Sequence, residues 1–173
     1  MSIEKEEFTT IKTLLKTGKP EEFWNRYKPE TLDLSQVYEN SSANDVKKKA
    51  STEGSTLLHL ICRYNRHDLL NQVKDKISPQ ILESVNDAGW TPLAMACRYG
   101  ALECFEILAN RGAKINVKLG MGSPLILACQ RNSFPIVKKI CELVKDKDYI
   151  NYIDDHGVSA LYMCIYSGAE DVF

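Results

Sequence analysis

Gly89-Trp90-Thr91-Pro92-Leu93-Ala94-Met95-Ala96-Cys97 decides how this chain is read, because variants of it recur three more times. Thr56-Leu57-Leu58-His59-Leu60-Ile61-Cys62 precedes it; Ser123-Pro124-Leu125-Ile126-Leu127-Ala128-Cys129 and Ser159-Ala160-Leu161-Tyr162-Met163-Cys164-Ile165 follow it. Thr56, Thr91, Ser123 and Ser159 lie 35, 32 and 36 residues apart. A Thr or Ser hydroxyl can accept from a free N–H of a first helical turn, so each of the four marks a helix start. Pro92 and Pro124 suit the next position, where no N–H is wasted. Three residues after Cys62, Cys97, Cys129 and Ile165 stand Asn65, Gly100, Asn132 and Gly168. Gly and Asn enter the left-handed backbone region cheaply, so a helix end is expected at each. A second helix is predicted after each end. In the clearest copy its apolar positions are Leu102, Phe105, Ile107 and Leu108, and Gly112 stops it.

A period near 33 built on a Thr-Pro-Leu-His-x-Ala core resembles the ankyrin repeat. The resemblance covers residues 51–173. It implies an all-α ankyrin-repeat solenoid of helix–turn–helix units with short hairpin fingers, in copies 51–85, 86–116, 117–152 and a truncated 153–173. The copies depart from the pattern in places. The first has Leu57 in place of proline, and a tail from Ile77 to Val85 in which Ser78-Pro79 starts an extra helical turn through Glu83. The third has Met121 where glycine is usual, between Gly120 and Gly122, which leaves the shape of its finger open. Pro135 falls at the start of a second helix, where proline is tolerated. The fourth copy breaks off after barely a turn of its second helix, with apolar Val172 and Phe173 last. Repeat arrays need a polar terminal unit, so a piece of a longer protein is expected, with a natural frayed end as the alternative.

Residues 1–50 do not match the repeat and are read as an N-terminal helical cap. Ile3 to Lys16 reads as a helix with Phe8, Ile11, Leu14 and Leu15 on one side and Gly18 as its stop. Pro20 opens a second helix whose apolar face is Phe23, Trp24 and Tyr27; Pro29 opens a third, to about Tyr38. Asn40 to Asn44 is a Ser/Asn-rich break. The cap covers the open end of the first repeat, which a solenoid needs; a degenerate repeat is the alternative. Lys47-Lys48-Lys49 reads as a solvated face rather than a localisation signal.

Lysine and arginine total 22 against 23 acids, a net charge of −1, which gives no drive toward nucleic acid or a membrane surface. The first seven residues lack the basic start and apolar run of a secretory signal. No apolar run approaches the roughly 20 residues that span a bilayer. Six cysteines show no C-x-x-C pair, so zinc spacing is missing. Cys62, Cys97 and Cys129 recur at one repeat position. Helices stacked about 8–10 Å apart hold such thiols beyond disulfide reach. Cys104, Cys141 and Cys164 fall on apolar helix faces, and six reduced thiols point to the cytoplasm or another reducing compartment. No cofactor, metal or catalytic residue is assigned. His59 and Cys62 lie three apart without a third orienting group, and the resemblance implies that His59 instead buttresses its turn by hydrogen bonding. His67 and His156 read as surface residues. Gly120-Met121-Gly122-Ser123 reads as a finger turn rather than a phosphate loop.

A column across the copies carries the functional expectation. Just before each helix end stand Arg63-Tyr64, Arg98-Tyr99, Gln130-Arg131 and Tyr166-Ser167. The resemblance implies that these positions, with Ser55, Trp90, Gly122 and Val158 of the fingers, look into a concave groove that holds partners. Arg63, Tyr64, Trp90, Arg98, Tyr99, Gln130, Arg131 and Tyr166 are therefore the candidate partner-binding residues, suited to an extended segment bearing acidic and aromatic or proline groups. The plainer alternative is an ordinary solvated helix end, where arginine also favours the dipole. The function so read is a non-enzymatic protein-interaction module. The alternatives are a targeting part of a longer enzyme whose catalytic domain lies beyond Phe173, and a bacterial effector acting inside a host cell.

Overall fold

The computed structural model of the chain describes residues 5–35, 37–38, 54–119 and 122–168. The expectations for Asn40 to Asn44, Lys47-Lys48-Lys49, Gly120-Met121, and Val172 and Phe173 lie outside the described residues. The described chain is mostly helical: α1 (Lys5–Thr17), α2 (Pro20–Arg26), β1 (Val37–Tyr38), β2 (Ser55–Thr56), α3 (Leu57–Arg63), α4 (His67–Val73), a 3-10 turn (Lys74–Lys76), α5 (Pro79–Leu82), α6 (Pro92–Tyr99), α7 (Leu102–Asn110), α8 (Pro124–Gln130), α9 (Phe134–Leu143), α10 (Lys147–Ile150) and α11 (Ala160–Tyr166).

The helix starts follow from side-chain capping. Thr91 Oγ1 accepts from Ala94 N–H at 3.2 Å, Ser123 Oγ from Ile126 N–H at 3.3 Å and Ser159 Oγ from Tyr162 N–H at 3.1 Å. The ends follow from one backbone device. Asn65, Gly100, Asn132 and Gly168 all have positive φ, at 49°, 70°, 56° and 66°. In three copies the next N–H reaches back six residues inclusive to a carbonyl of the last turn: Arg66 to Ile61 at 2.9 Å, Ala101 to Ala96 at 2.9 Å and Ser133 to Ala128 at 3.0 Å. This reversal sends each second helix back along the first.

Two layers result. The short inner helices α3, α6, α8 and α11 pack side by side, and α4, α7 and α9 form the outer row. The core runs without a break from Phe8 to Cys164. Of the inner helices α3, α6 and α8 are buried almost all round, with every side chain from Pro92 to Cys97 buried, whereas α11 buries only Ala160 and Cys164. Ala94, Ala96 and Cys97 keep α6 thin enough for neighbours on both sides. Ser78 caps α5 by accepting from Ile81 N–H at 3.3 Å, as its sequence predicts, and Pro135 sits in the first turn of α9.

The N-terminal helices pack on the first repeat. Phe8, Ile11, Leu15 and Phe23 are buried, and Trp24 meets Phe23 edge-on at 5.1 Å. Arg66 fastens this pair. Its Nη1 donates to the carbonyls of Leu14, Gly18 and Leu15 at 2.9, 3.1 and 3.3 Å. These oxygens lie at the end of α1, where a guanidinium donates to the last carbonyls and opposes the helix dipole. Asp68 orients it through a 2.7 Å ion pair. Burial raises the Asp68 carboxyl, but the Arg66 and Leu69 hydrogen bonds outweigh it and hold the pKa below the ordinary value.

A third helix from Pro29 to Tyr38 does not form. Thr31 N–H closes a turn on Lys28 O at 3.1 Å, and Asp33 accepts from Ser35 N–H at 2.9 Å. Thr, Asp and Ser at alternate positions compete with helical hydrogen bonding by such local turns. Beyond them Val37 pairs with Thr56 and Tyr38 with Ser55 as antiparallel strands, so the upstream segment completes the first finger.

Two outcomes test this account. Gly100→Val is expected to destabilise the array by about 1–3 kcal/mol, because a β-branched residue is penalised at positive φ. Gly100→Asn should cost less than about 1 kcal/mol, since asparagine tolerates this region. Urea midpoints measure both. Arg66→Met, which keeps the stem and removes the donors, should raise amide exchange across Ile11–Leu15 about tenfold while residues 92–131 stay protected.

Candidate functional site

Arg63 and Arg98 end the inner helices α3 and α6. The Arg63 guanidinium lies 5.7 Å from the Tyr64 ring centre and 4.8 Å from that of Tyr99. It therefore bridges the first repeat to the second. Arg98 lies 5.9 Å from the same Tyr99 ring. All four side chains are half-buried, and burial, ahead of the opposing effect of Arg63, raises the Tyr64 phenol pKa. Ion pairs among the described residues join Arg66 to Asp68, Arg111 to Asp75 and Lys139 to Glu106. Neither Arg63 nor Arg98 has a described carboxylate partner, and Arg63 Nη1 is buried without an acceptor among the described residues.

The column loosens further along. Gln130 and Arg131 are exposed. Arg131 lays its stem beside Gly100, where an added Cβ would lie 3.3 Å from Arg131 Cγ. Tyr166 is 77% exposed and stacks on Tyr162, ring centres 6.1 Å apart and planes 12° apart. The structure joins Arg63, Tyr64, Arg98 and Tyr99 into one cluster and leaves Arg131 and Tyr166 outside it.

The fingers rest on two residues that the sequence reading did not single out. Asn86 Oδ1 accepts from the N–H groups of Ala88 and Trp90, each at 3.0 Å, while Asn86 Nδ2 donates to Ser55 Oγ at 3.3 Å. Asp154 repeats the arrangement with His156 and Val158 N–H at 3.0 and 2.9 Å. The signal was present: Asn or Asp three residues before the finger glycine, Gly89 or Gly157, is a side-chain-to-backbone turn. Trp90 is only 6% exposed, so it serves as a wall rather than a free side chain.

His59 sets the position of that wall. Its Nδ1 faces Thr56 N–H at 3.2 Å and Thr56 Oγ1 at 2.8 Å, and its Nε2 faces Trp90 O at 2.9 Å. A backbone N–H only donates and a carbonyl only accepts, so Nδ1 is the acceptor and Nε2–H the donor. The neutral ring is thereby required. Burial pushes its pKa down to about 4. Cys62 is fully buried and its thiol pKa is raised by burial, with Cys104 beside it. His59 and Cys62 thus supply no activated thiolate.

Trp90 and Arg98 form one side of a concave pocket of about 270 Å³. Ile126, Leu127 and Gln130 of α8 line it from the third repeat. Val158 and Met163 close it from the fourth, with Asp154 and His156 at the finger edge. The pocket brings together Trp90, Arg98 and Gln130 of the predicted set. Among the described residues no group of three or more His, Cys, Asp or Glu is arranged to hold a metal ion, and no helix is long and apolar enough to cross a membrane.

The family model described as "Ankyrin repeats (3 copies)" matches residues 9–119, a stretch that begins within α1 and takes in α2. The chain is similar to Neurogenic locus notch homolog protein 2 of Homo sapiens, 30% identical over 128 residues, which is 73% of this chain and 5% of that protein. It is similar to SMC5-SMC6 complex localization factor protein 1 of Mus musculus, 30% identical over 117 residues, 52% of this chain and 10% of that protein. It is also similar to E3 ubiquitin-protein ligase KEG of Arabidopsis thaliana, 24% identical over 127 residues, 72% of this chain and 8% of that protein. The chain thus spans a tenth or less of the length of these relatives.

The His59 geometry predicts a pH response. A folded-state pKa depressed from about 6.5 to about 4 means that the unfolded chain binds the extra proton between those values. The contribution is full above pH 6.5 and is lost as pH falls toward 4. Between pH 7 and pH 4.5 His59 should account for about 2–3 kcal/mol of lost unfolding free energy. Denaturant unfolding of His59→Gln should show a correspondingly shallower pH dependence than the native chain.

Proposed function

This chain belongs to the ankyrin-repeat family, and on that premise we propose that it binds another protein along the face where fingers and inner helices meet. Ankyrin repeats are generally protein–protein interaction modules. The finer reading is that the groove holds an extended segment bearing acidic and aromatic or apolar side chains. One observation carries it: Arg63 and Arg98, both set against the Tyr99 ring, have no ion-pair carboxylate among the described residues. Arg and Tyr dominate interface energetics, and side chains already held against one another lose less freedom on binding. Gln130, Arg131 and Tyr166 extend the surface in exposed positions.

In this reading α1 and α2 cap the array, fastened by Arg66. The cysteines are free, five buried and Cys141 partly so, which fits a reducing compartment. A second reading, that the array addresses a catalytic domain elsewhere in a longer protein, draws on the similarity to a protein named as a ubiquitin ligase, of which this chain covers 8%.

Arg63→Glu combined with Arg98→Glu is expected to weaken the partner complex by more than about 2 kcal/mol, roughly thirtyfold in Kd. The fold itself should lose only about 1 kcal/mol through the ring contacts. Lys16→Glu with Lys138→Glu changes net charge equally at exposed positions of α1 and α9. Affinity capture by the three proteins, with unfolding measured in parallel, checks this. Equal loss in both double variants would reduce the effect to net charge.

A further inference from the structure

The finger row has a gap. Trp90, Gly122 and Val158 occupy the same finger position in the second, third and fourth repeats. Gly122 brings no side chain there, and an added Cβ would lie 3.4 Å from Ile126 Cγ2 and 3.6 Å from Leu127 Cδ2. Those two residues are lining residues of the pocket, and Trp90 and Val158 stand on either side. A side chain at Gly122 would start in contact with two residues of this lining, so its absence leaves the finger row open beside the cavity, between two side chains that are present.

We propose that this gap is the anchoring subsite of the groove: it takes one bulky apolar side chain, of leucine, methionine or phenylalanine size, from an extended partner peptide that carries carboxylates on the side of α6 and α3. The proposal rests on the groove reading above and deepens it. A volume of about 270 Å³ falls just below the range of about 300–1,000 Å³ typical of small-molecule sites. Ile126, Leu127, Val158 and Met163 give the pocket an apolar part that offers a water molecule no hydrogen bond, beside the polar groups of Arg98, Gln130, Asp154 and His156.

Charge gives the occupant a direction. Arg98 stands at the pocket without a described carboxylate partner. On the opposite side Asp154 has committed Oδ1 to the N–H groups of His156 and Val158, and its negative charge repels a carboxylate there. The ligand's acids must therefore point back toward the first two repeats. Inner helices stack about 8–10 Å apart and an extended chain advances about 3.3 Å per residue. The step from Arg98 to Arg63 therefore corresponds to about three residues. The fitting sequence has an apolar anchor, an acid within about three residues of it, and a second acid about three residues further in the same direction.

The test is a displayed library of random 12-residue peptides selected on the full chain. Enriched peptides are then titrated against the Trp24→Phe protein, in which Trp90 is the sole tryptophan. Enrichment of an apolar residue with Asp or Glu to one side, and a change in Trp90 emission on binding, are expected. Replacing the peptide's apolar anchor by Ala should lower affinity at least tenfold, a measurement that leaves the protein's fold untouched. Val158→Phe, which fills the gap, and Arg98→Glu should each do the same. Peptides lost on Arg98→Glu but indifferent to Val158→Phe and to the anchor would overturn the subsite and leave the groove reading standing. Peptides indifferent to every change would overturn both. A library that enriches nothing, or enriches peptides without an apolar residue, would sink the subsite.

Discussion

A helix of seven or eight residues that is apolar on every side has no stable existence alone in water. α6 is such a helix, with Pro92 through Cys97 all buried, and α8 is another, with Pro124 through Cys129 buried. Each must be covered on both flanks and along its back, and the rest of the architecture answers that requirement. Small residues thin the helices. The left-handed residue after each one folds the outer helix down as its cover. The fingers close the remaining edge. Stability then resides in the seams between repeats, and His59, reaching from Thr56 to the Trp90 carbonyl, is a polar stitch across one of them.

The seams also explain the candidate site. Arg63 belongs to one repeat and stacks on a ring of the next, so the groove surface is assembled only when the repeats are in register. The pocket needs three repeats at once. Neither feature belongs to any single unit, and the irregularity that separates the copies is what gives the face a shape of its own. Identical repeats would carry a uniform row of side chains with no gap at Gly122.

What was legible in the residues was local. Thr91, Ser123 and Ser159 cap as their chemistry predicts, and Asn65, Gly100, Asn132 and Gly168 all adopt positive φ, because both devices depend on a few neighbouring atoms. Asn86 and Asp154 were equally local and were passed over, although their spacing to Gly89 and Gly157 announces the turn. The stretch after Pro29 misled because its apolar residues fit a helix while Thr31, Asp33 and Ser35 favour turns, and its partner, Ser55–Thr56, lies in the first finger. The pocket, the Arg63–Tyr99 stack and the grip of Arg66 on α1 join residues one or more repeats apart, and no local pattern encodes such meetings.

That grip has a consequence for synthesis. Arg66 and the carbonyl of Gly18 are 48 residues apart in the chain. At translation rates of about 5–20 residues per second, the first two helices wait roughly 2–10 s before their fastening residue is made. During that interval Phe8, Ile11, Leu15 and Phe23, buried in the finished fold, have no first repeat to cover them. These helices are thus translated before the residue that secures them, and until it is made the nascent chain offers an apolar surface to ribosome-associated chaperones.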